Sequence, residues 1–164
     1  IAGFPGETEE IFQWTYDCLS EYPWHRLHVF PYSEREGTAA TRLDGVVPVA
    51  TRKARVRRLM SLSMQRLQTA YARLVEAGAP LEALVEGAVE LEGGETFASC
   101  TTANYFRVLV PFDNPEAMKN RIVRVRPVGL VLKNQAGDVA LRAEVSTGAG
   151  RDSGSLRQQS WMAP

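Results

Sequence analysis

The chain has 164 residues, of which 45% are hydrophobic and 23% charged, the profile of a globular protein with room for one ordinary domain or two small ones. Nineteen basic and nineteen acidic side chains cancel, which removes any argument from global charge for nucleic acid or an anionic membrane. No apolar run reaches the roughly 18 residues of a membrane span, there is no signal-peptide pattern, and Cys18 and Cys100 lie in no CxxC or Cys/His cluster; a cytoplasmic protein with two inert thiols and no metal ligands of its own is expected.

In chain order, residues 1–4 can end a strand, and Pro5-Gly6 suits the centre of a type II turn. Thr8 then caps a helix with Glu9 and Glu10 in its first turn, a predicted buried stripe at Ile11, Phe12, Thr15, Cys18, Leu19 and Tyr22, and a stop at Pro23. "RLHVFPYS" reads as a second strand in which His28 is expected to be a hydrogen-bonded core residue. Strand, helix, strand is the grammar of a parallel sheet covered by helices. After the loop "EREGTAATRLDGVVP", a long helix is predicted over 48–77 with Val56, Leu59, Met60, Ser63, Leu67, Ala70, Tyr71 and Leu74 on one side, ending at Gly78 and Pro80.

The pattern then changes. "LEALVEGAVELE" alternates apolar and acidic residues with the period of a half-exposed strand. The runs "NYFRVLVPF", "RIVRVRP", "VGLVLK" and "DVALRAEV" add four more, split by Gly93-Gly94, Asp113-Asn114-Pro115 and residues 134–138. Five short strands predict a small antiparallel barrel or sandwich. The predicted organisation is an α/β piece with a linking helix over 1–78, an all-β domain over 79–146, and a polar, Gly/Ser-rich, disordered tail over 147–164. One crossover between two strands cannot bury a sheet face, so the first piece is expected to be part of something larger.

Four features carry chemistry. "GFPGET" is a glycine turn between strand and helix, where α/β sheets bind ligands; Glu7, Glu9 and Glu10 disfavour a phosphate and suit an amino or sulfonium group, and a plain tight turn is equally compatible. "HVFPYSEREGT" places Tyr32, Ser33 and Arg35 past the end of a strand, with Arg35 either a carboxylate clamp or solvated. "TRKARVRR" spreads five cations over more than half a helix circumference, which fits a solvated helix start or a phosphate contact. In the β domain, Glu82, Glu86, Glu90, Glu92, Glu95, Asp113 and Glu116 precede Lys119, Arg121, Arg124, Arg126 and Lys133, so one barrel face is expected to be basic. With Asn104, Tyr105, Phe106 and Arg107 it would suit RNA, though small barrels also bind protein or nothing.

"IAGFPGETEEIF", "LHVFPYSEREGTAA" and the helix after "VVP" resemble the end of the radical S-adenosylmethionine (SAM) barrel of the methylthiotransferases. "LVEGA", "TTANYFRVLVP" and "NRIVRVRP" resemble the TRAM RNA-binding domain that follows that barrel in the family, and together the likeness spans roughly residues 1 to 133. "LHVFPYS" is most similar to the branch that modifies threonylcarbamoyladenosine at position 37 of tRNA. The resemblance implies the C-terminal part of a radical SAM (β/α) barrel plus a TRAM-like barrel, tRNA as partner, transfer of a methylthio group to C2 of that adenosine, and SAM and two 4Fe-4S clusters as cofactors.

It places Gly3, Phe4, Pro5, Gly6, Glu7 and Thr8 against SAM, with Phe30, Tyr32, Ser33 and Arg35 beside it. Asn104, Tyr105, Arg107, Arg121, Arg124 and Arg126 would touch tRNA. No CxxxCxxC occurs, so the cluster ligands are not in this chain, which is expected to be inactive alone. The alternatives are a non-catalytic RNA-binding module on an α/β scaffold, or another radical SAM enzyme with an RNA-binding barrel.

Overall fold

The computed structural model describes residues 1–91, 94–132 and 138–146. The predicted tail, Glu92, Gly93, Lys133 and most of the 134–138 turn lie outside them. The described chain is mixed α/β, with two long helices and a five-stranded sheet.

Helix α1 spans Glu9–Glu21 and starts as predicted: Thr8 Oγ1 accepts from the Ile11 amide at 3.2 Å, and two glutamates stand in the first turn. Its buried face differs from the predicted stripe. Phe12, Tyr16 and Leu19 pack against Ala2, Val29, Val56 and Leu59, whereas Ile11 and Tyr22 are exposed. Adjacent Ile11 and Phe12 are both apolar, so the pattern alone leaves the phase of the stripe open by one position.

The predicted parallel pairing of the two flanking segments is present as a single bridge, Ala2 to Pro31. Ala2 donates its amide to Phe30 O at 2.9 Å, and Tyr32 donates to Ala2 O at 2.8 Å. Leu27 and Val29 are half-buried while His28 and Phe30 face outward, so His28 is an exposed residue and not the predicted core histidine.

Helix α2 runs over Val49–Ala77, capped by Pro48 and closed by Gly78 at φ 58, whose amide reaches Leu74 O and Val75 O. Its N-terminal half packs on α1 through Val56 and Leu59. Its C-terminal half enters the core of the β domain through Leu67 and Tyr71, with Ala70, Leu74 and Val75 beside them. Met60, predicted inside, is exposed.

The strands are β1 (Leu81–Glu90), β2 (Thr96–Thr102), β3 (Arg107–Val110), β4 (Ile122–Leu132) and β5 (Val139–Val145). They pair in the order β1-β2-β3-β5-β4, with β4 returning to β1, as a closed barrel. The predicted antiparallel pattern holds for four ladders, but β3 and β5 are parallel, through Val108 with Leu141 and Leu109 with Arg142. The predicted count of five is met by a different set. "RIVRVRP" and "VGLVLK" are one strand, because a bulge between Pro127 and Gly129 absorbs the proline that suggested a break. The small-residue run "TFASCTT" forms β2, with Phe97, Ala98 and Cys100 buried.

Candidate functional site

The GFPGET segment is a tight turn: the Glu7 amide donates to Phe4 O at 3.0 Å, with Gly6 at φ 85 in the position where a type II turn needs a positive value. The Gly6 amide is taken by Gly45 O at 2.8 Å. Gly3, also left-handed at φ 81, lies on the side chain of Arg52; a Cβ there would come within 2.4 Å of Arg52 Cγ.

Arg52 and Arg55 are the side chains that the sequence reading misplaced. They are 3% and 4% exposed, so "TRKARVRR" is not a wholly solvated helix start. Arg52 donates to Val47 O at 2.7 Å, Tyr32 O at 3.1 Å and Glu34 Oε1 at 2.6 Å. Arg55 donates to Glu7 O at 2.9 Å, Glu7 Oε1 at 2.8 Å and Glu9 Oε2 at 3.1 Å. Arg58, one turn further, reaches Glu9 Oε1 at 2.8 Å and Gln13 Oε1 at 2.7 Å. Three arginines spaced three residues apart therefore tie the turn, the end of the second segment and α1 to one helix face. The signal was available: continuing the buried line Tyr71, Leu67, Ser63, Leu59 towards the N-terminus arrives at Arg55 and Arg52.

This network changes what the glutamates do. Hydrogen bonds from Arg55 and then Arg58 hold the Glu9 carboxyl below its ordinary range, and Arg52 does the same for Glu34. Glu7 is enclosed, accepting from the Gly3 amide at 2.9 Å with one oxygen and from Arg55 with the other. Enclosed Glu7 and exposed Glu9 thus both have guanidinium partners in the fold, so neither is the free carboxylate that would suit an amino or sulfonium group. Thr8 caps α1.

Phe4 and Phe30 are exposed, and Ser33 and Arg35 face solvent beside them. The Phe4 and Tyr32 rings meet edge-on at 5.2 Å, and the Tyr32 hydroxyl is buried without a partner among the described residues. Aromatic surface, an unpartnered hydroxyl and open space above the Gly6 α-carbon are compatible with an organic cofactor that has apolar and polar parts. An iron–sulfur cluster is a different case. Cys18 is half-buried on α1, and Cys100 is enclosed in the barrel with burial pushing its thiol up to about 11. No group of three or more His, Cys, Asp or Glu that could hold a metal occurs among the described residues. The residues described here do not fit a cluster.

On the barrel, Ile122, Arg124 and Arg126 share the outer face of β4 while Val123 and Val125 point inward. The uniformly basic face is not present. Ladder register sets Glu82 opposite Arg124 and Glu144 opposite Arg126, so charges segregated in sequence alternate in space. Arg107 pairs with Glu86 and donates to Thr101 Oγ1 at 2.9 Å. Arg121 and Lys119 remain exposed. Asn104 accepts from Thr102 Oγ1 at 2.6 Å and shapes the turn that presents Tyr105. Sequence reasoning also missed a groove of about 370 Å³ in which Tyr105 and Ile122 meet Leu84, Glu82 and Glu86.

No family model matches the chain. It is 41% identical over 126 residues to the threonylcarbamoyladenosine tRNA methylthiotransferase of Bacillus subtilis, a match covering 77% of this chain and 27% of that protein. It is 34% identical over 126 residues to the tRNA-2-methylthio-N(6)-dimethylallyladenosine synthase of Moorella thermoacetica, with the same coverage of 77% and 27%. A third relative, the ribosomal protein uS12 methylthiotransferase of Pelotomaculum thermopropionicum, is 44% identical over 87 residues, 53% of this chain and 19% of that protein. The chain spans about a quarter of the length of the first two relatives. A match of 126 residues in a chain of 164 includes most of α2 and the strands β1 to β3 wherever it begins, so helix and barrel are matched together. The chain belongs to the radical SAM methylthiotransferase family.

Proposed function

We propose that the protein containing this chain adds a methylthio group to C2 of N6-threonylcarbamoyladenosine at position 37 of tRNA, in the cytoplasm. The observation that carries this reading is the 41% identity to the Bacillus subtilis enzyme, extending over 77% of the chain. In this reading residues 1–78 are the last part of a radical SAM (β/α) barrel with its linking helix, and residues 79–146 are a TRAM-like barrel that holds the tRNA.

Gly3, Phe4, Pro5 and Gly6 border S-adenosylmethionine on one side, and Phe30, Tyr32, Ser33 and Arg35 on the other. When bound, that cofactor supplies the methyl group. The chain's own contribution is positional. Arg55 fixes Glu7, Glu7 fixes the Gly3 amide, and Arg52 fixes the Tyr32 carbonyl, so the two segments that face the ligand keep one spacing. The two 4Fe-4S clusters of the family need ligands from outside the described residues, so this stretch is inactive alone. On the barrel, Tyr105, Arg121, Arg124 and Arg126 contact the nucleic acid, while Asn104 and Arg107 shape the surface around Tyr105.

A ribosomal protein substrate is the competing reading, favoured by the 44% identity to the uS12 enzyme over 87 residues. Equilibrium binding of the chain to tRNA and to purified uS12 separates the two. The tRNA reading expects a salt-dependent complex with tRNA that Arg124→Glu with Arg126→Glu weakens and whose salt slope it lowers. A complex with uS12 and none with tRNA would overturn it.

A further inference from the structure

The barrel groove at Tyr105 has a polarity that points to one kind of occupant. Its floor is a line of register neighbours across three strands: Thr101 on β2 faces Leu84 on β1, and Leu84 faces Ile122 on β4. Ile122 is 70% exposed and Leu84 is exposed beside it, an apolar stripe that nothing in the described chain covers. Tyr105 stands at one end, 80% exposed, with its backbone at φ 64. Three hydrogen bonds hold that unfavourable conformation. Tyr105 N donates to Thr102 O at 2.9 Å, Phe106 N to Thr102 Oγ1 at 3.0 Å, and Thr102 Oγ1 to Asn104 Oδ1 at 2.6 Å. A turn built to thrust an aromatic ring into solvent presents a stacking surface.

The two carboxylates on the rim differ. Glu86 is paired with Arg107. Glu82 lies across the ladder from Arg124 but makes no ion pair among the described residues, so its oxygens remain acceptors at the groove. Arg124 follows Ile122 on the same outer face of β4, and Arg121 immediately precedes the strand; both are exposed. A cationic peptide would meet these guanidinium groups. A nucleotide satisfies both signs, its phosphate towards the arginines and an amino group of its base towards Glu82.

We infer that this groove takes one unstacked nucleobase carrying an exocyclic amino group, stacked on Tyr105 over Leu84 and Ile122, and that Glu82 makes it select cytosine over uracil. The inference rests on the RNA-binding reading of the barrel and adds a base preference to it. Cytosine and uracil have the same ring size and differ at C4, where an amino donor meets a carboxylate favourably and a carbonyl oxygen does not.

The test is fluorescence anisotropy of the 164-residue chain with labelled hexacytidylate and hexauridylate at low salt, using the unaltered chain, Glu82→Gln and Tyr105→Gly. The expected result is tighter binding of hexacytidylate, by about fivefold or more. Glu82→Gln should erase that difference, and Tyr105→Gly should weaken both ligands alike. Equal affinity for the two oligomers, or preference for hexauridylate, overturns the base selection and leaves the RNA-binding reading standing. Binding of neither overturns both. Displacement of hexacytidylate from the unaltered chain but not from Tyr105→Gly by an arginine-rich peptide that itself binds more tightly would assign the groove to protein and overturn the inference.

Discussion

Arg55 on α2 and Glu7 in the glycine turn are 48 residues apart in sequence and meet at 2.8 Å, with both side chains largely enclosed. The second Glu7 oxygen accepts the Gly3 amide at 2.9 Å, so one carboxylate joins the helix to the backbone of the turn. Arg55→Met leaves that enclosed carboxylate without its cation and should cost about 3 kcal/mol, measured by urea unfolding. Arg55→Lys should not restore stability, because one ammonium cannot replace a planar fork that reaches Glu7 and Glu9 together. Full stability in Arg55→Lys would mean that the pairing is ordinary surface charge.

The two left-handed glycines of the turn separate conformational strain from crowding. Gly6 has no atom within 4 Å of an added Cβ, so Gly6→Ala should lose only about 1 kcal/mol for its positive φ. Gly3→Ala carries the same backbone strain and also drives a methyl to 2.4 Å from the enclosed stem of Arg52. It should be clearly the more destabilising of the pair in thermal melts, and equal losses would argue against close packing of Arg52 beneath the turn.

Acid should loosen the α/β unit through Glu9 and Glu34. Hydrogen bonds from Arg55 and Arg58 lower the folded pKa of Glu9, and those from Arg52 lower that of Glu34, each from an ordinary value of 4.5. A depressed carboxyl contributes stability that is fully present above its unfolded value and lost as pH falls through the folded one. The stability gap between the unaltered chain and Glu34→Gln should therefore be constant above pH 5, roughly, and close as the pH drops below about 4. A gap that persists at low pH would contradict the pairing with Arg52.

Tyr71 makes the linking helix part of the barrel. Its ring lies in the β-domain core beside Phe106, with ring centroids 5.4 Å apart, and its hydroxyl donates to Arg107 O at 3.3 Å. Tyr71→Ala should cost about 3 kcal/mol. A chain beginning at residue 80 should melt well below the same barrel attached to α2.

Tyr105 tests strain in the opposite direction. Its left-handed backbone disfavours any L side chain, so Tyr105→Gly should stabilise the chain by about 1 kcal/mol. A gain in stability alongside weaker oligonucleotide binding would separate the surface role of the ring from any packing role.

Much of this architecture is legible in the residues. Thr8 as a cap, the Pro5-Gly6 turn, the span of α2 and the alternation along β1 follow from local rules of backbone and burial. What escapes the sequence is what the third dimension brings together. Arg52 and Arg55 look like a solvated run until Glu7, Glu9 and Glu34 arrive from far along the chain. The barrel charges look segregated until antiparallel register sets Glu82 beside Arg124. Strand β2 is faint because Ala98, Ser99 and Cys100 are small, and Pro127 suggests a break where a bulge carries the strand through. Family likeness is legible for a different reason: it rests on several motifs standing in the family's order along one chain.

The activity proposed for the protein containing this chain is methylthiolation of threonylcarbamoyladenosine in tRNA. The direct measurement is mass spectrometry of nucleosides from total tRNA of cells in which the gene is interrupted, compared with cells carrying it. The expected result is loss of the 2-methylthio form of N6-threonylcarbamoyladenosine, accumulation of the unmodified parent nucleoside, and restoration when the gene is returned. Unchanged levels of that nucleoside, or loss of the methylthio form of the dimethylallyl nucleoside instead, would contradict it.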